Sequence, residues 1–86
     1  MASLNKIMKK LQAALNSEKY DKRVKINTRQ FFSEEQRRVI TVYAVVMPVF
    51  SESKNRMVDR EVLSTASAAE VVKYLAELLE VERNET

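Results

Sequence analysis

The apolar positions near the two ends of the chain follow a helical period. After Ser3, a residue type that caps helices, apolar side chains recur at intervals of three and four and gather into one stripe: Leu4, Ile7, Met8, Leu11, Ala14 and Leu15. A second stripe follows Ser67, which begins the capping-box sequence Ser67-Ala68-Ala69-Glu70. The pattern therefore predicts two amphipathic helices, one beginning after Ser3 and the other after Ser67.

Between the helices the apolar period falls to two, which is typical of strands with one buried face. The alternation predicts strands over 23–32, 37–50 and 57–63. The polar segments 33–36 and 51–55 have the composition of turns. Because both links are short, we expect consecutive strands to pair as antiparallel hairpins.

The same alternation predicts where individual strand residues point. We expect Phe31 and Phe32 to be core residues or to close the first hairpin. Pro48 has no backbone amide, so we expect it near a strand end or where the neighbouring strand has stopped. In the third strand, two pairs of side chains are expected on opposite faces, Val58 and Val62 on one and Met57 and Leu63 on the other.

The order of these elements predicts the fold class. A helix, three hairpin-linked strands and a second helix indicate an α+β fold, αβββα, in which both helices pack on one face of a three-stranded antiparallel meander. The length of 86 residues, with 45% hydrophobic and 31% charged residues, is typical of one globular domain. We expect residues 1–86 to form that single domain, with a polar, frayed tail at about 82–86.

Several kinds of chemistry are excluded by residue types that the chain lacks. It contains no histidine, cysteine or glycine, so it has no imidazole proton shuttle, no thiolate and no glycine-rich phosphate loop. Asp59 and Glu61 would share one face of a strand and could in principle bind a cation. Ion pairs with Arg60 and with the basic first strand explain the two carboxylates better than a metal site does. We predict that the chain is not an enzyme and has no catalytic residue, cofactor or metal site.

The cellular location follows from the lack of long apolar runs. None approaches the ~20 residues that span a bilayer, and segment 1–16 is amphipathic rather than signal-peptide-like. We expect a cytoplasmic protein with no membrane partner and no small-molecule substrate.

The charges are unevenly divided along the chain. Residues 1–38 hold ten Lys/Arg and four Asp/Glu, whereas residues 39–86 hold five and eight. A nucleic-acid surface is one interpretation, because basic side chains neutralise phosphates and aromatic ones stack on bases. Its candidate residues are Lys6, Lys9, Lys10, Lys25 and Arg29. The other interpretation is that the two halves attract each other, with Lys25 and Arg29 pairing with Asp59 and Glu61.

The central strand carries apolar side chains on both faces. One row consists of Ile40, Val42, Ala44 and Val46, and the other of Val39, Tyr43, Val45 and Met47, interrupted by Thr41. Two helices cover one face, so the second row is either screened by long side chains or buried against another molecule. Because Tyr and Met are enriched in interfaces, we favour burial against another molecule, with Val39, Tyr43, Val45 and Met47 as the interface residues, while the pattern alone leaves open which row faces the helices. The leading hypothesis is a non-catalytic interaction or accessory module that forms a homodimer or binds a protein partner there.

The chain resembles two groups of known proteins. The order of elements resembles double-stranded RNA-binding domains over nearly the whole chain, and STASAAEVVKYLAELL is similar to their second helix. Binding of RNA would need a lysine cluster at the start of that helix, where Ala68, Ala69 and Glu70 stand, so the resemblance implies the architecture only. The segment RRVITVYAVVMPVFSESKNRMVDREVLSTAS resembles small proteins of phages and integrative elements of Gram-positive bacteria, which implies an accessory role.

Overall fold

The structure, a computed structural model, describes residues 3–85. Its elements are helix α1 (Leu4–Leu15), strands β1 (Lys25–Ser33), β2 (Arg38–Ser51) and β3 (Arg56–Thr65), and helix α2 (Ala68–Glu85). The strands form one antiparallel sheet in the order β1-β2-β3. The predicted αβββα meander is therefore confirmed.

Both helices begin at the predicted caps. The Ser3 hydroxyl accepts a hydrogen bond from the Lys6 amide at 3.2 Å, and the Ser67 hydroxyl accepts one from the Glu70 amide at 3.3 Å. In a capping box the Glu70 carboxylate would accept directly from the Ser67 amide. Here the Ser67 amide donates instead to the Thr65 hydroxyl oxygen at 3.0 Å. That hydroxyl in turn donates to the Glu70 carboxylate at 2.6 Å. Thr65, the last residue of β3, thus ties the sheet to the start of α2.

Residues 82–85, expected to belong to a frayed polar tail, are polar but helical and complete α2. Glu82 forms an ion pair with Lys22 in the loop between α1 and β1, and its side chain is only 14% exposed. Arg83 adds a positive charge near the helix C-terminus, where the helix dipole favours it. Thr86 lies outside the described residues.

The core lies between the two helices and one face of the sheet. Its buried side chains come from both helices, from β2 and from the residue before β1: Met8, Leu15, Val24, Val45, Val71, Leu75 and Leu79. Within residues 3–85 no polar or charged side chain is buried. Since α1 and α2 contribute to the same cluster, they cover the same face, as predicted.

The sheet is staggered along β2. β1 pairs with β2 from Arg38 to Val46, whereas β3 pairs with it from Tyr43 to Ser51. Each end of the central strand therefore has a neighbour on one side only. Pro48 lies opposite β3 and past the point where β1 begins, which confirms the prediction that its neighbouring strand has stopped.

The two hairpin turns have the same conformation, and neither contains glycine. In SEEQRR, residues 33–38, and SESKNR, residues 51–56, the first serine hydroxyl accepts a hydrogen bond from the amide three residues later. In each turn the residue before the second strand is left-handed, with φ of 51° at both Arg37 and Asn55. These repeated turns fix the pairing of Ser33 with Arg38 and of Ser51 with Arg56.

A side-chain clamp joins the end of α1 to the start of β1. The Asn16 amide oxygen accepts from the Val24 amide at 2.6 Å, and the Asn16 amide nitrogen donates to the Val24 carbonyl at 2.9 Å. Gln12 donates to the same carbonyl at 2.8 Å. Asn16 therefore pairs with Val24 much as a neighbouring strand would, and it holds the buried Val24 side chain in the core.

We predict that Asn16→Ala lowers the free energy of unfolding by about 2 kcal/mol, because two hydrogen bonds are lost and the Val24 amide is left without a partner. Urea denaturation at a fixed protein concentration measures the loss. Asn5→Ala is the control, since Asn5 is exposed on α1 and should change stability by less than about 0.5 kcal/mol. Equal effects of the two substitutions would show that the clamp contributes nothing.

We predict that Arg37→Gly raises the free energy of unfolding by about 0.5 kcal/mol. A left-handed non-glycine residue costs roughly 1–2 kcal/mol, which exceeds the entropic cost of glycine of about 0.5–1 kcal/mol. Asn55→Gly should gain less, because asparagine tolerates this conformation. Thermal unfolding compares both with Arg38→Gly, which places glycine at the first residue of β2, removes the hydrogen bond to Gln36 and should destabilise. Destabilisation by Arg37→Gly to the same extent contradicts the prediction.

Candidate protein interface on the open sheet face

The pairing register decides which row of β2 faces the helices. Val45 is fully buried in the core, and Tyr43 and Met47 pack against it. Ile26 pairs with Val45 and also packs against the core. The prediction that Tyr43, Val45 and Met47 are anchors on the open face is therefore wrong, because the helices cover these three side chains.

Val39, the fourth predicted anchor, belongs to the same row but lies beyond the helices. Its side chain is 60% exposed near the β1–β2 hairpin, on the helix side of the sheet. Its cross-strand partner Phe32 is 62% exposed. The two residues form an exposed apolar pair beside the hairpin turn, so of the two alternatives expected for Phe32, core residue or hairpin-closing residue, the structure shows the second.

The open face carries the other row of β2. Along this strand every alternate side chain from residue 40 to residue 50 is apolar: Ile40, Val42, Ala44, Val46, Pro48 and Phe50. We call these six residues the apolar ridge. All are half-buried by neighbouring strands except Phe50, which is 58% exposed. Phe31, beside Ile40, and Met57, beside Phe50, extend the ridge at its two ends and are exposed.

A β-bulge in β3 adjusts the third strand to the core. Val45 pairs with Leu63 and Val46 with Glu61, so Val62 is an extra residue. Both Val62 and Leu63 pack against the core cluster. The prediction that they lie on opposite faces is wrong for this reason, and the bulge leaves Glu61 on the open face beside Val46.

Charged side chains flank the apolar ridge with opposite signs. On β1, Lys25 and Arg29 occupy the open face, and on β3 the open face carries Asp59 and Glu61. Lys25 reaches across β2 to Asp59 at 3.2 Å, as predicted for that pair, and both side chains are more than half exposed. Arg29 makes no ion pair within residues 3–85, although it lines the same shallow groove as Glu61 above Ala44. The open face therefore consists of a basic strand, an apolar ridge and an acidic strand.

The molecule is flat and exposes more surface than its size requires. Its Cα atoms extend over 45 × 39 × 16 Å, with a radius of gyration of 14.8 Å, against about 12 Å for a compact domain of this length. Its accessible surface is 6622 Å², about 1,400 Å² more than a typical monomer of its mass exposes. The uncovered second face of the sheet contributes to this excess.

The predicted nucleic-acid residues do not share one surface. Lys6, Lys9 and Lys10 are exposed on α1, in the helix layer. Lys25 and Arg29 lie on the opposite side of the sheet. Binding of nucleic acid stays a prediction, but a ligand docked on either face meets three of these residues at most.

The alternation of apolar residues identified Ile40, Val42, Ala44 and Val46 as one row but did not place that row on the open face, and the signal that could have placed it is the loop length. A four-residue hairpin loop pairs even positions of β1 with odd positions of β2. Val24 and Ile26, the clearest apolar positions near the start of β1, are even. Tyr43 and Val45 therefore had to share their face, which leaves Val42 and Val46 on the other.

Within the described range 3–85, no group of three or more acidic side chains is placed to hold a metal ion. None of the helices there is both long enough and apolar enough to cross a membrane. Comparison of the chain with protein-family models, with curated proteins and with solved structures finds no match.

We predict a shallow salt dependence for any nucleic-acid binding. Three phosphate contacts give a slope of about −2.7 in a plot of log affinity against log salt concentration, whereas five give about −4.5. Titrations of duplex DNA at several salt concentrations measure the slope. A value near −4.5 would mean that the basic residues of both faces reach one ligand, which contradicts the division described above.

Proposed function

We propose that this chain is a non-catalytic interaction module that binds a protein through the open face of its sheet. The observation that carries the proposal is the apolar ridge, which follows β2 along almost its whole length on the uncovered face. Isolated exposed apolar side chains are normal, but a contiguous apolar strip on a small domain is typical of an interaction surface.

The composition of the open face supports protein as the ligand class. Ile40, Val42 and Val46 offer aliphatic area, and Phe50 and Met57 are residue types enriched at interfaces. The flanking charges form a polar rim, which is the usual arrangement around an apolar interface centre. The excess accessible surface of the isolated chain also favours a covered state.

We predict that a photo-crosslinker on the open face captures a protein. Phe50 and Phe32 form a matched pair, because both are phenylalanines about 60% exposed, Phe50 on the open face and Phe32 on the helix side. Replacing each with p-benzoylphenylalanine preserves an aromatic side chain. In cells that express the chain, irradiation should give an adduct of defined mass from position 50 and several-fold less from position 32.

The experiment needs the identity of the captured protein and a check that both labelled chains are folded. Mass spectrometry identifies the captured peptide, and circular dichroism confirms that both labelled chains are folded. Equal or absent capture from the two positions would show that the open face is not a binding surface and would end the proposal.

A further inference from the structure

We infer that the occupant of the open face is a second copy of this chain, related by a two-fold axis that runs nearly parallel to β2. The inference rests on the proposed function and specifies its partner and geometry. In this arrangement the two apolar ridges pack face to face, as in the sheet-on-sheet packing of β-sandwiches. Residues 25–28 at the start of β1 of each copy then lie over residues 61–65 at the end of β3 of the other.

Self-complementarity is the reason to choose a second copy over a different protein. A two-fold interface requires one surface to match itself, so a charged row must meet a row of opposite sign. The open face meets that requirement, with Lys25 on one side of the ridge and Glu61 on the other. A face shaped for an unrelated partner has no need to carry both signs symmetrically about an apolar centre.

The register places the two charged residues at the same level. Lys25 and Glu61 both pair with Val46, from opposite sides of β2. Rotation about an axis along β2 exchanges the two sides while preserving the level along the strand. Lys25 of one copy therefore lies over Glu61 of the other, twice in each dimer.

The alternative two-fold axis, perpendicular to β2 in the plane of the interface, gives the wrong electrostatics. It places β1 over β1 and β3 over β3. Lys25 and Arg29 of both copies would then gather on one side, and Asp59 and Glu61 of both copies on the other. Because opposed like charges oppose association, the charge pattern selects the axis along the strand.

The available area suits a weak, reversible dimer. Because β1 and β3 are staggered along β2, they overlap across the proposed interface only at the level of residues 43–46, whereas β2 overlaps along its 14 residues. At ~3.3 Å per residue and ~4.8 Å between strands, the covered plane is about 350 Å² per copy and about 700 Å² in total, which is the size of a weak contact. Ala44, the smallest residue of the ridge, lies near its middle, where two backbones approach most closely.

The test begins with the mass of the purified full-length chain. Light scattering over a dilution series should give twice the 10.0 kDa of one chain at high concentration, and dilution gives the dissociation constant. Ala44→Glu buries a charge at the centre of the ridge and should raise that constant at least about tenfold. Ala76→Glu, the same substitution on the exposed side of α2, should leave it within about twofold.

Charge reversal then tests the axis. Lys25→Glu and Glu61→Lys each create two like-charge contacts in the proposed dimer, and each should raise the dissociation constant by about tenfold or more. The double variant K25E/E61K restores both contacts and should return the constant to within about threefold of the original. Circular dichroism checks that every variant is folded, because Lys25→Glu also removes the pair with Asp59.

Mixing the two single variants separates association from folding. The Lys25→Glu chain presents a carboxylate on both sides of Val46 and the Glu61→Lys chain an ammonium on both sides, so together they should form a heterodimer at concentrations where each alone is mostly monomeric. Charges within each chain are unchanged by mixing. A recovered dimer therefore supports the intermolecular contact and shows that both single variants retained their fold.

Different results would contradict the axis, the second copy as occupant and the proposed function. Single charge reversals that leave the dimer unchanged or tighten it overturn the axis along β2, even where Ala44→Glu still dissociates the dimer. A chain that is monomeric at every concentration overturns the second copy as occupant, while capture of a different protein at position 50 would keep the proposed function. Absence of capture at position 50 removes the proposed function, and the second copy as occupant with it.

Discussion

One sheet face is left without a helix, and the rest of the molecule follows from that imbalance. Two helices supply apolar stripes for a single side of a three-stranded sheet, and the buried core forms there. Because no further layer covers the second side of the sheet, the molecule is only 16 Å thick. Water meets the apolar ridge of β2 directly unless another molecule replaces it.

The two hairpin turns determine which side chains of β2 face the helices and which lie on the open face. Because the period of a strand is two, a shift of one residue in either hairpin would exchange the two faces of β2. The serine hydroxyls at Ser33 and Ser51, together with the left-handed Arg37 and Asn55, fix both hairpins in a chain that has no glycine. Val45 is thereby directed into the core, and the ridge to the open side.

Much of this fold could be predicted from the sequence, since helical period, strand period and capping residues are local signals. Ser3 and Ser67 marked the helix starts correctly, and Pro48 marked the place where β1 has no further pair. The row expected on the open face was the wrong one of the two, because Tyr43 and Val42 are both apolar and only the pairing of strands decides which of them faces the helices. The bulge at Val62 left no local signal either, since β3 reads as a regular alternation.

In the dimer that we propose, the charged rows beside the ridge would contribute through orientation more than through folding. The pair between Lys25 and Asp59 is largely exposed, and exposed pairs add little to the stability of a single chain. Between two copies of the proposed dimer, the same charges would oppose an arrangement that places β1 over β1 and would favour the one that places β1 over β3. Apolar area can supply the affinity in several orientations, but the opposite signs on the two outer strands distinguish between them. A flat ridge without such flanks would permit sliding and mispairing, and the separation of charge across β2 removes that freedom.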